Sequence, residues 1–302
     1  MNVSVTERAA KQAQKAENKT IKSIGVIGAG IMGCGIAQVA AQNGINVVLI
    51  DRDELSLENA QESIRQNLRQ ERLFNPGRGK ISDILENINL TLDYDALRDV
   101  DFVVENVTED WDIKQKIYPK LDAVCRPDCV YAANTSAIPI TQIGSVTKNP
   151  QNLIGMHFMN PVPMKNTVEV IRAHHTSERS VEVAMGLLTA LGKTGILVQD
   201  SPGFVSNRVL MLTVNEAAFL VHERVADADA IDKIFRECFG HKMGPLETAD
   251  MIGIDTILQS IEQLYIAFSD SKYRPCPLLK TLVNAGNLGK KTGRGFHDYY
   301  TG

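Results

Sequence analysis

The chain is poor in the features that mark charged partners, membranes and metals. Aromatic residues are 6% of its 302 residues against 44% hydrophobic overall. Its core is therefore built from Ile, Leu, Val and Ala, as in ordinary soluble proteins. Lys and Arg number 32 against 36 Asp and Glu, a net charge of −4. With no basic field, nucleic acid is excluded as a partner. The longest apolar runs are strand-sized, such as Val47 to Ile50 (VVLI), so no segment can span a membrane. The five cysteines (Cys34, Cys125, Cys129, Cys238 and Cys276) are odd in number, scattered, and lack CxxC or Cys/His ligand spacing. They read as reduced packing thiols of a cytoplasmic protein, and a metal site is not expected.

Residues 1–22 mix Lys, Glu, Gln, Asn and Ala without an apolar segment, the pattern of a polar arm and not of a signal peptide. The rest is long enough for two domains. Short β-branched runs alternate with amphipathic stretches: SIGVIG, INVVLID, NINLTL, DFVVEN, VYAANTS and NLIGMHF read as strands. IMGCGIAQVAAQNG, LSLENAQESIRQNLRQERL and KQKIYPKLDAVC read as helices between them. This alternation predicts an α/β, doubly wound, Rossmann-type parallel sheet over 23–200. Pro202 and Gly203 then break the periodicity. VSNRVLMLTVNEAAFLVHER, DADAIDKIFRECFG and TADMIGIDTILQSIEQLYIAF each predict one long helix, giving an all-helical C-terminal domain over 201–302.

Gly28-Ala29-Gly30-Ile31-Met32-Gly33 is a GxGxxG placed between a predicted strand and a predicted helix. Gly28 allows the tight turn, Gly30 admits a pyrophosphate to the helix N-terminus, and Gly33 lets helix and strand pack closely. Asp51 closes the next strand, where a carboxylate accepts hydrogen bonds from the adenosine ribose and repels a 2′-phosphate. The expected cofactor is NAD in preference to NADP, with Arg52 alongside as the dissenting charge. A turn or helix-capping acid is the competing reading of Asp51.

Four polar residues stand at the predicted ends of strands or the start of a helix: Ser136 in NTSAIPIT, His157 in GMHFMNPVP, Glu169 in VEVI and Asn207 in SPGFVSNR. Ligands of open α/β sheets collect beyond the carboxyl ends of the strands. A histidine can take the proton of an alcohol as hydride leaves its carbon, and a carboxylate on the second ring nitrogen fixes its tautomer. A satisfied turn histidine, a turn hydroxyl and a helix cap are the plainer readings of the same residues. The remaining histidines (His174, His175, His222, His241 and His297) have no acid partner evident in the sequence and read as surface or packing residues.

From about Lys22 to Tyr300 the chain resembles the NAD-dependent 3-hydroxyacyl-CoA dehydrogenase family, including the bacterial 3-hydroxybutyryl-CoA dehydrogenases. GVIGAGIMGCGIA, NTSAIPIT, MHFMNPVP with VEVI, DSPGFVSNR, GHKMGPLETADMIGID, YRPCPLL and GKKTGRGF carry the resemblance, in the family's order. It implies that His157 is the catalytic base and Glu169 its orienting partner. Ser136 and Asn207 would hydrogen-bond the substrate's hydroxyl and thioester carbonyl. Gly28, Gly30, Gly33 and Asp51 match the NAD motif, while Glu109, Lys114, Asn160 and Lys291 fall at further cofactor-contact positions. A homodimer formed through the helical domain is also implied.

Three differences from the family's pattern bear on the substrate. Met164-Lys165-Asn166-Thr167 shifts a lysine by one place, Leu212 replaces a helix proline, and RLFNPGRGKISDILENI looks like a shortened coenzyme A-binding hairpin. The first and last resemble relatives in polyketide extender-unit pathways, which oxidise glyceryl-type groups tethered to an acyl carrier protein. That carrier-bound substrate is the alternative to a CoA thioester. The β-hydroxyacid dehydrogenases of free acids generally use a lysine base, and the His157/Glu169 pair speaks against them. A non-catalytic family member is disfavoured by the intact set of polar residues.

Overall fold

The structure, a computed structural model, describes residues 21–74, 79–136 and 138–300. The polar arm up to residue 20 lies outside the described residues, as does the middle of the hairpin at 75–78. Two compact units are present. One comprises the chain up to Thr135 with Ile140–Asp200; the other comprises Ser136–Pro139 with Ser201–Gly302.

The first unit begins with the strand β1 (Ser23–Ile27), the helix α1 (Ile31–Gln42) and β2 (Asn46–Ile50). Helices α2 (Glu54–Phe74) and α3 (Ile81–Glu86) lead to β3 (Ile88–Thr91). Leu57, Ala60, Ile64 and Leu68 form the buried stripe of α2, the spacing of a helix that packs one face on a sheet. Then come β4 (Phe102–Glu105), α4 (Trp111–Lys114), α5 (Tyr118–Val124), β5 (Val130–Ala133), α6 (Ile140–Gly144) and β6 (Leu153–His157). β7 (Thr167–Arg172), α7 (Glu178–Ala190) and β8 (Thr194–Gln199) complete the unit.

The strands form a single sheet in the order β3-β2-β1-β4-β5-β6-β7-β8. Every residue of β4, β5 and β6 is buried, as expected of parallel strands covered on both faces. The sheet is not wholly parallel. β7 pairs antiparallel with β6, and β8 runs parallel to β7. The link of residues 158–166 holds no helix longer than one 3₁₀ turn, Val162–Met164. A link that short reverses the chain, because a parallel return needs a longer crossover. β8 was not among the strands predicted from the sequence; its residues are mostly exposed, so the pattern carries no core-facing alternation.

The helix predicted over 114–125 is two helices, α4 and α5. Pro119 sits in the first turn of α5, where its missing N–H and its ring do no damage. In the second unit α8 (Ser206–His222) runs without interruption through Leu212, followed by α9 (Ala228–Phe239), α10 (Pro245–Ile252), α11 (Ile254–Phe268) and α12 (Pro277–Asn284). The single helix expected over 248–268 is α10 and α11, divided at Gly253 with φ +106°. Met211, Val214 and Ala218 of α8 share a core with Ile254, Ile257, Ile261 and Leu279. Among the described residues no helix is long and apolar enough to cross a membrane.

Candidate active site

A cleft of about 730 Å³ opens at the carboxyl ends of β1, β2 and β4, lined by Gly28, Gly30, Asp51, Arg52, Tyr94 and Asn106 among others. This is where the strand order turns from β1 to β2 on one side and to β4 on the other, the crevice in which doubly wound sheets bind ligands. Gly28 has φ +93°, and a Cβ there would stand 2.8 Å from Asn106 O. A Cβ on Gly33 would lie 1.8 Å from Gly28 O, so α1 approaches the β1 turn as only glycine permits. Gly30 differs from both. It begins α1 without a side-chain cap, and nothing stands within 4 Å of where its Cβ would be. The first N–H groups of a helix lack intrahelical acceptors. Open space over such a terminus fits the pyrophosphate of a dinucleotide.

The Asp51 carboxylate accepts from Ala29 N (2.6 Å) and from Arg52 N (2.7 Å). It therefore braces the glycine turn, as the competing reading of this acid expects. A carboxylate offers about four acceptor positions, so two remain for ribose hydroxyls. Arg52 Nε pairs with Asp53 at 3.2 Å. Across the cleft, burial and then the charges of Glu105 and Asp51 push the Tyr94 phenol up to about 12.

A buried polar cluster lies beneath this cleft. Glu105 and Lys114 are both fully buried and paired at 2.9 Å. Glu105 also accepts from Tyr118 OH (2.9 Å) and Val107 N (2.7 Å). Lys114 donates further to Val107 O and Asn134 O. Asn134 in turn donates to Asn106 and accepts from Phe158 N. Burial, followed by the charge of Glu105, raises the Tyr118 phenol well above its ordinary value. Lys114, expected at a cofactor contact, thus has its hydrogens directed into the protein. Glu109 accepts a short hydrogen bond from Thr135 Oγ1 and stands 3.8 Å from Lys114. Glu105 belongs to no recognised motif. An acid closing the otherwise apolar run FVVE, with a lysine shortly after it, was the available signal.

His157 ends β6, and Glu169 lies in the middle of β7 rather than at a strand end. They are Cα partners in the antiparallel register. Their side chains are 7% and 11% exposed, with His157 Nδ1 and Glu169 Oε2 2.9 Å apart. Directly opposed residues of an antiparallel pair bring their side chains together. With the carboxylate on Nδ1 that nitrogen carries the proton, and the basic lone pair falls on Nε2. Asn160, two residues beyond Phe158, is exposed and precedes Pro161 through a cis peptide bond.

The other predicted residues belong to the second unit. Asn207, in the first turn of α8, donates its side-chain amide to Ser136 O at 3.1 Å. Lys291 bridges both oxygens of Asp255, at 2.6 and 2.7 Å. Burial opposes ionisation of Asp255, yet the Lys291 hydrogen bond and charge hold its carboxyl below the usual range. His297, a packing residue as its sequence suggests, has acid partners that only the fold brings to it. Its ring nitrogens lie 3.1 Å from Asp229 and 2.8 Å from the fully buried Asp232. Asp232 also caps α10 by accepting from Leu246 N and Glu247 N, which makes this a structural contact. Among the described residues no group of three or more His, Cys, Asp or Glu is placed to hold a metal ion.

Both parts of the chain match known proteins. Residues 23–201 match the family model described as 3-hydroxyacyl-CoA dehydrogenase, NAD binding domain. Residues 203–299 match 3-hydroxyacyl-CoA dehydrogenase, C-terminal domain. A probable 3-hydroxybutyryl-CoA dehydrogenase of Bacillus subtilis is 44% identical over 284 residues, covering 92% of this chain and 98% of that one. The 3-hydroxybutyryl-CoA dehydrogenase of Bradyrhizobium diazoefficiens is 42% identical over 280 residues, covering 92% of this chain and 96% of that one. Among solved structures, (S)-3-hydroxybutyryl-CoA dehydrogenase from Ralstonia eutropha superposes with a TM-score of 0.88 at 40% identity. That match covers 93% of this chain and 100% of the other. The chain belongs to the 3-hydroxyacyl-CoA dehydrogenase family of NAD-dependent oxidoreductases.

Proposed function

We propose that the protein interconverts a short 3-hydroxyacyl-CoA thioester and its 3-oxo form, with 3-hydroxybutyryl-CoA as the reference substrate. The observation that carries this reading is the buried His157/Glu169 pair at 2.9 Å. NAD would supply the hydride acceptor; Gly28, Gly30 and Asp51 would hold its adenosine diphosphate part, with Gly33 letting α1 pack close enough to present its N-terminus. Glu109 and Asn160 are assigned further contacts to it, Lys114 fixes the cleft floor beneath it, and Lys291 is assigned to it by family resemblance alone. His157 Nε2 takes the hydroxyl proton, and the ring becomes an imidazolium. Glu169 stabilises that cation and keeps the ring from rotating away, as an acid on the far nitrogen of a catalytic histidine does. Ser136 and Asn207 are assigned to the substrate's hydroxyl and thioester carbonyl.

The thioester carrier is coenzyme A in this proposal. The relatives reported above bear CoA in their names, and neither they nor the fold lends support to a carrier-protein substrate. A homodimer formed through the helical unit and a cytoplasmic location complete the proposal. Exposed apolar side chains on that unit, Val209, Phe239 and Ile266 among them, support the dimer. Oxidation of NADH with acetoacetyl-CoA is the direct test. His157→Gln should keep NADH affinity while turnover falls by roughly 10²–10⁴, the usual share of general acid–base catalysis. Near-full activity of that variant would refute the relay. Activity on a glyceryl-loaded carrier protein, with none on CoA thioesters, would overturn the carrier assignment.

A further inference from the structure

The link from β6 to β7 leaves the sheet at His157 and returns two residues before Glu169. Its outer residues are open to solvent: Met164 is 77% exposed, and Lys165 and Asn166 are exposed as well. Such a turn needs fastening, because among the described residues its own backbone hydrogen bonds are those of Met164 N and Lys165 N to Pro161 O. Two things fasten it from beneath. Gly35 of α1 faces Val162 and Pro163, and a Cβ at Gly35 would stand 2.9 Å from Val162 Cβ. On the other side lies Lys193, immediately before β8. Its ammonium donates to Val162 O at 2.7 Å and to Lys165 O at 2.8 Å.

Lys193 is 7% exposed, and among the described residues its ammonium donates to the two carbonyls and pairs with no carboxylate. Burial alone pushes its ammonium below the usual lysine range. Placing a cation against two neutral carbonyls costs desolvation that a methionine or leucine would avoid. What the cation provides is two charge-assisted bonds, one to each end of the 3₁₀ turn. The next residue, Thr194, donates its N–H to Asn166 O, so β8 and Lys193 together grip the link from Val162 to Asn166.

We propose that Lys193 is a positioning residue for substrate specificity: it pins the 162–165 turn so that the turn presents a fixed surface to the acyl thioester. This rests on the proposed reaction and adds a determinant outside the proton relay. His157 and Glu169 are registered by the β6–β7 ladder, so loosening the turn should spare chemistry and weaken recognition.

Lys193→Met, which keeps the length and removes both donors, is the test. The KM for acetoacetyl-CoA should rise roughly tenfold to hundredfold, the worth of one or two hydrogen bonds to a charged group. The kcat should stay within about threefold, since the relay is untouched. Amide exchange at Met164 and Lys165 should accelerate at least about tenfold while the β6 and β7 amides keep their protection. An unchanged KM with unchanged exchange overturns the proposal. So does a fall in kcat at constant KM, which is what a merely structural loss of active enzyme would produce. If the variant does not fold, the unmodified protein decides: protection of Met164 and Lys165 comparable to β7 supports pinning, and exchange at free-loop rates refutes it. Absence of thioester turnover in the unmodified protein would defeat the proposed reaction, and with it the specificity role, whereas the exchange data would still judge the pinning by Lys193.

Discussion

Gly30 and Gly33 stand three residues apart in one motif, yet alanine should have opposite effects at the two positions. At Gly33 the added Cβ would lie 1.8 Å from Gly28 O, which is backbone and cannot rotate aside. Helix α1 and the β1 turn must part by more than an ångström. Overpacking of a tight core costs about 1–3 kcal/mol, and a backbone obstacle belongs at the upper end. For a unit of this size that is a fall in Tm of roughly 6–12 °C. At Gly30 the Cβ meets nothing within 4 Å, and the backbone, at φ −74° and ψ −170°, suits any residue. Stability should stay within about 0.5 kcal/mol. The methyl group would nonetheless stand over the helix N-terminus, the proposed site of the pyrophosphate. NADH affinity should fall at least about tenfold, a loss of roughly 1.4 kcal/mol. Thermal unfolding and NADH titration of the two variants separate the effects. A Gly30→Ala protein that binds NADH like the parent, or a Gly33→Ala protein with an unchanged Tm, would refute the assignment.

Asp51→Ser should shrink the preference for NAD over NADP, read as the ratio of kcat/KM values; an unchanged ratio would mean that Asp51 only braces the Ala29 turn. Lys114→Met leaves Glu105 buried without its cation, and equilibrium unfolding should register a loss of about 3–5 kcal/mol; a loss below 1 kcal/mol would show that Tyr118 and Val107 N suffice. Burial raises the Glu247 carboxyl, but the Gly244 N–H and Arg236 outweigh it, and the folded value lies below the ordinary one. Its contribution is therefore complete above the unfolded value near about 4.3 and is lost as pH falls through the folded one. Because the pair is one-third exposed, Glu247→Gln should flatten the acid side of the stability profile by under about 1 kcal/mol. A profile that does not change would refute the linkage.

Much of the fold could be read from local pattern. The strands β1, β4, β5 and β6 are apolar runs because they are covered on both faces, and the glycine motif announces its own turn. Features that depend on distant pairing were hidden. Gly253 looks like a tolerated interruption in one long helical period, and only its positive φ makes it a break. β8 is an exposed edge strand, so burial left no alternation to detect. Glu105, Lys114 and Tyr118 belong to β4, α4 and α5, and nothing in their spacing says that they meet. The same holds for His297 and Asp232, far apart in the chain and 2.8 Å apart in space. His157 and Glu169 were paired through family resemblance. That they face each other across two antiparallel strands was not legible, since a parallel sheet was expected.

That antiparallel crossing has a consequence for how the site can be altered. The separation of the histidine ring from its carboxylate is a lattice constant of the sheet, set by hydrogen bonds between β6 and β7 rather than by the chain linking them. The exposed side chains of Met164, Lys165 and Asn166 can accordingly be exchanged without detuning the pair, provided that the two strands keep their register. Redesign aimed at a new acyl group has an adjustable part and a fixed part already separated in the backbone, and libraries confined to residues 164–166 should alter which thioester is accepted while leaving the proton transfer as it is.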